Sequence, residues 1–95
     1  MTITDVVRFR IVVRGKVQGV FFRDNVKQRA QELQLKGWVR NKADGAVEVV
    51  AEGPKIELSK LVQFCREGPG DAQILDVQFD ALKATGEFPD FRIRF

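Results

Sequence analysis

The chain has 95 residues and a formal net charge of +3, from 16 Lys and Arg against 13 Asp and Glu, which predicts one domain, 1–95, with one core and only a mild preference for anionic partners. No apolar run approaches the ~20 residues a membrane span needs, and the opening MTITDVVRFR lacks the basic-then-apolar-then-small layout of a secretory signal. Histidine and tyrosine are absent and Cys65 is the single cysteine, so Ser-His-Asp and Cys-His chemistry, a Cys/His zinc site and an internal disulfide are excluded.

A lone cysteine suits a reducing cytoplasm, which is the expected location. Whatever chemistry occurs must use arginine, amides, carboxylates or backbone groups.

From Val6 to Arg14 the residues alternate, with Val7, Phe9, Ile11 and Val13 on one face and Arg8, Arg10, Val12 and Arg14 on the other. This period of two predicts a half-buried strand. The loop RGKVQGVFFR, residues 14–23, follows. From Asp24 to about Leu35 the apolar positions Val26, Ala30 and Leu33 fall at helical spacing. KGWVRN reads as a strand, ADG as a hairpin turn and AVEVVAE as the returning strand. GPKIELSKLVQFCREG reads as a second helix, with Pro54 in its first turn, a buried stripe of Leu58, Leu61, Val62 and Cys65, and Gly68 with Pro69 as its stop. AQILDVQFDA is a strand with Leu75, Val77 and Phe79 inward; the polar loop LKATGEFPD leads to a short last strand, FRIRF.

The order β-α-β-β-α-β plus a terminal strand predicts an α+β fold. Two right-handed crossovers with a hairpin between them give the ferredoxin-like split β-α-β sandwich, two helices on one face of a mainly antiparallel sheet. That fold sets the first strand between the third and fourth. Arg8, Arg10 and Arg14 on its open face then meet Glu48 and Glu52 on one side and Asp76 and Asp80 on the other, as cross-strand ion pairs. The pairing of the last strand is not fixed by this reasoning.

The loop carries Arg14, Lys16 and Arg23, two glycines and no acid. It ends at a helix N-terminus, where unpaired N–H groups and the dipole favour an anion. Gly15 and Gly19 let the backbone curl into a nest of donors, and Arg23 adds a fork matched to phosphate oxygens. A cation at a helix start opposes the dipole, so Arg23 is better explained by a ligand than by the helix. The pattern is neither a Walker loop nor G-x-G-x-x-G, and a plain connecting turn is the alternative on these residues alone.

The loop also reads Gly15-Lys16-Val17-Gln18-Gly19-Val20-Phe21-Phe22-Arg23, and further on the chain reads Gly37-Trp38-Val39-Arg40-Asn41-Lys42-Ala43-Asp44-Gly45-Ala46-Val47-Glu48. These resemble the two signatures of the acylphosphatase family, G-x-V-Q-G-V-x-F-R and G-W/Y-x-x-N-x-x-D-G-x-V-E. Length, element order, Gly68-Pro69 and Phe91-Arg92-Ile93 agree, so the resemblance covers nearly the whole chain. It implies hydrolysis of a carboxyl phosphate to a carboxylate and inorganic phosphate, with no metal, cofactor or covalent intermediate. It implies Arg23 as the phosphate-binding arginine and Asn41 as the residue that positions water. It also implies the backbone N–H groups of Gln18, Gly19, Val20, Phe21 and Phe22 as the phosphoryl cradle, with Gly15 setting the loop's conformation. The implied partner is a small-molecule acyl phosphate, with no nucleic acid and no membrane, and a monomer is expected.

Two positions depart from the family's pattern. Asp24 follows the key arginine, where it would cap the helix or pair with Arg23 and weaken phosphate binding. Gln34 stands where the family usually has a helix-ending glycine, a substitution worth roughly 1 kcal/mol. The competing functions are a non-catalytic phosphate or carbamoyl-phosphate binding or regulatory module, and an RNA-binding domain. The second needs stacking aromatics on the open sheet face, and AVEVVAE has none.

Overall fold

The structure, a computed structural model, describes residues 5–95. Its elements are β1 (Val6–Lys16), α1 (Phe22–Glu32), β2 (Lys36–Asn41), β3 (Val47–Pro54), α2 (Lys55–Glu67), β4 (Gln73–Lys83) and β5 (Phe91–Arg94). The sheet order is β4-β1-β3-β2-β5. β1 pairs antiparallel with both β3 and β4, β2 pairs antiparallel with β3, and β5 lies parallel to β2. This is the ferredoxin-like arrangement expected from the element order, and β5 extends it at the β2 edge.

The alternation in β1 buries Phe9, Ile11 and Val13, which join Val39, Val47, Val49 and Ala51 of the neighbouring strands in one core. The helices close this face with Phe22, Val26 and Ala30 from α1 and the predicted stripe Leu58, Leu61, Val62 and Cys65 from α2. Each large apolar side chain removed from water there contributes about 1.5–3 kcal/mol before entropy is counted. No helix among the described residues is long and apolar enough to cross a membrane.

Several boundaries and contacts differ from expectation. α1 begins two residues earlier than Asp24 and ends at Glu32, not near Leu35. Its close is a left-handed turn: Gln34, at φ 58, donates to the Gln31 carbonyl (3.0 Å), and Leu35 donates back to Ala30 (2.9 Å). Pro54 is extended, at φ −62 and ψ 139, and precedes α2 as its cap instead of standing in its first turn.

On β4, Val77 and Phe79 keep the inward register opposite Val13 and Ile11, but Leu75 does not. A bulge between Arg14 and Gly15 pairs Arg14 with Asp76 and Gly15 with Ile74, so Leu75 is the extra residue. The alternation slips by one there. Ile74 packs on the core while Leu75 is 85% exposed.

The open face carries its charges in an arrangement only partly expected. Arg8 donates to Glu52 (2.7 Å), its direct partner in the β1–β3 register, and Arg10, which stands opposite Val50, reaches diagonally to Glu48 (2.5 Å). Arg40 of β2 also reaches Glu48, at 2.7 Å. Neither Asp76 nor Asp80 takes part in an ion pair among the described residues, and Arg14 turns instead to Asp44 of the β2–β3 turn, at 3.2 Å. Glu48 and Glu52 are each only 5% exposed, so these are not solvated surface pairs. Glu52 also accepts from the N–H groups of Thr85 (2.9 Å) and Gly86 (2.9 Å), which fastens the β4–β5 segment across the sheet.

Candidate active site

β1 and β2 are both antiparallel to β3, so they run in the same direction and their C-terminal ends lie at one end of the sheet. The loop 17–21 leaves β1 at that end and Asn41 closes β2 there. Topology thus gathers the two predicted signatures before any side chain is considered. A side chain then joins them directly. Gln18 Nε2 donates to the carbonyls of Lys42 (2.8 Å) and Ala46 (2.9 Å), which clamps the loop to the hairpin that follows Asn41. The hairpin is itself fixed by Lys42 N–H to Ala46 (2.8 Å) and by Ala46 N–H to the Asp44 carboxylate (3.0 Å). That N–H, with Arg14 and Lys42 nearby, holds the Asp44 carboxyl below its ordinary range.

The loop bends through two left-handed residues. Gly19, at φ 75, is at ease there, but Phe21, at φ 58, is the N-terminal cap of α1 and carries a Cβ that disfavours this region. Among the described residues, no backbone N–H from Gln18 to Phe22 donates to another backbone carbonyl or to a side chain, so five consecutive donors face no protein acceptor. They stand at the positive end of α1, the arrangement that binds an anion. Gly15 belongs to β1, not to the loop. A Cβ there would sit 2.1 Å from the Gln73 carbonyl oxygen, so its role is the close approach of β1 to β4 at the bulge.

A cavity of about 210 Å³ opens at this point, lined by Val17, Gly19, Phe21, Phe22, Arg23 and Asp24. Arg23 has no carboxylate partner within ion-pair distance among the described residues; its guanidinium carbon instead lies 5.1 Å from the centre of the Phe95 ring. Neither expected role of Asp24 is realised. Its carboxylate makes no capping hydrogen bond and no pair with Arg23, although it shares the cavity wall. Phe22 is buried in the core, whereas Phe21 is 78% exposed.

Asn41 shares the sheet face of Val39 and pairs with Val47. Its Oδ1 is the one buried side-chain nitrogen or oxygen without a hydrogen-bond partner among the described residues. A buried acceptor left alone costs roughly 1–3 kcal/mol, which a water molecule donating to it would relieve. Asn41 does not line the Arg23 cavity, so the site has two parts at one end of the sheet, joined by Gln18. The clamp by the Gln18 side chain was legible only as a brace, because the sequence does not say which carbonyls it meets. Two other hollows, of about 270 and 290 Å³, lie beside Trp38 and beside Glu52, each with Phe88 in its wall. Trp38 there is flanked by the guanidinium groups of Arg94 (5.0 Å) and Arg40 (5.6 Å), which makes it a wall and not a free stacking surface.

Comparison with known proteins bears on the family and the fold. The family model described as Acylphosphatase matches residues 9–93. An acylphosphatase of Marinobacter nauticus is 51% identical over 85 residues, covering 90% of this chain and 92% of that protein. Among solved structures, an acylphosphatase from Coxiella burnetii superposes with a TM-score of 0.89 at 40% identity, over 99% of this chain and all of that one (100%). The acylphosphatase from Bacillus subtilis superposes with the same score, 0.89, at 35% identity, over 94% of this chain and 99% of that one. With both signatures, the sheet order and these matches in agreement from one end of the fold to the other, the chain belongs to the acylphosphatase family.

Proposed function

We propose that this protein hydrolyses the carboxyl-phosphate bond of small acyl phosphates, holding the phosphoryl group in the 18–22 loop under Arg23 and presenting water from Asn41. The observation that carries the reading is the run of five backbone donors at the start of α1 with no protein acceptor, beside a guanidinium with no counter-ion. Such a pair of features is open to solvent and matches the equatorial oxygens of a phosphoryl group.

The chemistry needs little more. In a loose phosphoryl transfer, charge spreads over the phosphoryl oxygens, and positioning with electrostatic stabilisation supplies most of the acceleration. Water forms a bond to phosphorus as the bond from phosphorus to the acyl oxygen breaks, and the carboxylate leaves with that electron pair. It is a good leaving group and needs no strong acid. The water's proton passes to a phosphoryl oxygen. Asn41 accepts one hydrogen bond from the water through Oδ1, the atom that lacks a partner, and its amide donates toward phosphate. The loop donors and Arg23 provide the charge stabilisation for which other phosphoryl-transfer sites use a metal ion. One chain supplies every group, which supports a monomer as the working unit, and the single free thiol of Cys65 supports a cytoplasmic setting.

The test is hydrolysis of benzoyl phosphate in the presence of EDTA by the wild type, Arg23→Ala and Asn41→Ala, each checked for folding by circular dichroism. The wild type turns over without metal, and each substitution lowers kcat/KM by at least about a hundredfold, the scale of losing one preorganised donor. Arg23→Ala also loses affinity for inorganic phosphate, whereas Asn41→Ala keeps it. A folded wild type that binds phosphate but hydrolyses nothing would replace this reading with a ligand-binding module.

A further inference from the structure

We propose that Phe21 and Phe95 form an apolar subsite for the acyl part of the substrate, so that the enzyme favours acyl phosphates with an aromatic or extended apolar, uncharged acyl group. This rests on the reading of the loop as the phosphoryl site. If Arg23 and the loop donors hold the phosphoryl group, the acyl group must leave the cavity past the guanidinium. One phenyl ring stands in its wall and a second lies outside the lining, against Arg23. Phe21 lines the same cavity as Arg23 and is 78% exposed, and Phe95, 99% exposed, sits with its ring centre 5.1 Å from the Arg23 guanidinium carbon.

Neither ring packs in the core. Phe79, the other exposed phenyl among the described residues, stacks on Phe9 of the core at 4.8 Å, whereas Phe21 and Phe95 belong to no buried cluster. Phe21 also holds a left-handed backbone, φ 58, where asparagine or glycine would sit with less strain and a polar side chain would suit water better. Strain and an exposed ring at the mouth of a cavity are both accounted for if the ring meets a ligand. The same wall carries Asp24, whose carboxylate repels an acidic acyl group. An aromatic acyl group can stack against these rings, and a benzoyl group gains from that contact what an acetyl group cannot.

The experiment measures kcat/KM for benzoyl phosphate and for acetyl phosphate with the wild type, Phe21→Asn and Phe95→Ala. Asparagine tolerates the left-handed backbone, so Phe21→Asn removes the ring and not the loop's shape. The benzoyl-to-acetyl ratio falls by roughly three- to tenfold in each variant, through a raised KM for benzoyl phosphate, the range expected for losing an aromatic contact. Both substrates are measured on one preparation, so the ratio does not respond to partial loss of folded enzyme. Unchanged ratios in both variants would overturn the subsite while leaving the phosphoryl site standing. A wild type that hydrolyses neither compound would overturn the phosphoryl reading and the subsite with it.

Discussion

Gln34 carries a Cβ into a backbone conformation that glycine adopts without strain. The resemblance marks the position as one where glycine is usual, and the chain does take the left-handed conformation there, at φ 58, to pass from α1 into β2. The sequence alone extended the helix through this residue, because Leu33 and Leu35 continue the apolar spacing and glutamine carries no stop signal. Replacing Gln34 by glycine removes the Cβ strain and stabilises the fold by about 1 kcal/mol, which raises the melting temperature by roughly 4–8 °C for a domain of this size. Thermal denaturation reads this directly, and an unchanged or lower Tm counts against it. Arg23 and Asn41 stand out as candidate site residues through the two signatures. The left-handed backbone of Phe21 was not, since phenylalanine gives no sign of a conformation it rarely adopts.

Among the elements, the loop and the β2–β3 hairpin are separate in sequence and joined by one side chain. Gln18 spans them through two hydrogen bonds to the carbonyls of Lys42 and Ala46. Gln18→Ala removes one of two donors from each carbonyl, since Lys42 keeps the Gly45 N–H and Ala46 the Lys42 N–H, and it frees the loop from the hairpin that follows Asn41. It therefore lowers kcat by about ten- to a hundredfold, the effect of misplacing a reacting group by roughly an ångström, and costs about 1 kcal/mol of stability. Steady-state kinetics with a urea titration separates the two effects; a stability loss without a kcat loss would make Gln18 a structural brace only. Strand periodicity was a sound guide except at the bulge, where one extra residue turns Leu75 outward and Ile74 inward. Alternation carries no mark of an inserted residue, so that exchange is visible only in the register.

For the molecule as a whole, the order of the first four strands followed from two right-handed crossovers. The place of β5 did not follow, because a four-residue strand could have paired at either edge. The charged open face was legible as a pattern of arginines and acids, but the burial of Glu48 and Glu52 was not. Burial pushes the Glu52 carboxyl upward, yet the N–H of Thr85, the Arg8 guanidinium and the N–H of Gly86 outweigh it and hold it below the ordinary carboxylate range. Burial likewise raises Glu48, and the guanidinium groups of Arg40 and Arg10 more than compensate. A carboxyl with a depressed folded-state pKa adds stability that is fully present above its unfolded value of about 4.3 and is lost as pH falls through the folded value. Stability is therefore level from pH 7 down to about 5 and declines below about 4. Glu52→Gln costs about 2 kcal/mol at pH 7, for a buried, multiply bonded group, and the gap between variant and wild type narrows as pH falls. Urea titrations at pH 7 and pH 3 measure both; a gap that stays constant with pH would show that Glu52 acts by packing and not by charge.

The sheet order also sets when the site can exist. Only β2 and β3 form a local hairpin; β1 must find β3, with Val6 opposite Pro54, and β4, with Val7 opposite Lys83. Pairings this distant in sequence make folding slower than in a helical bundle of the same size, because loop-closure entropy is lost before the contacts form. The hairpin that carries Asn41 can close by itself early, but the 17–21 loop, which leads into Arg23 at the start of α1, has no fixed end until β1 is seated between its two partners. A chain in mid-folding can thus hold the hairpin end of the candidate site without the loop and Arg23, which meet it only in the finished sheet.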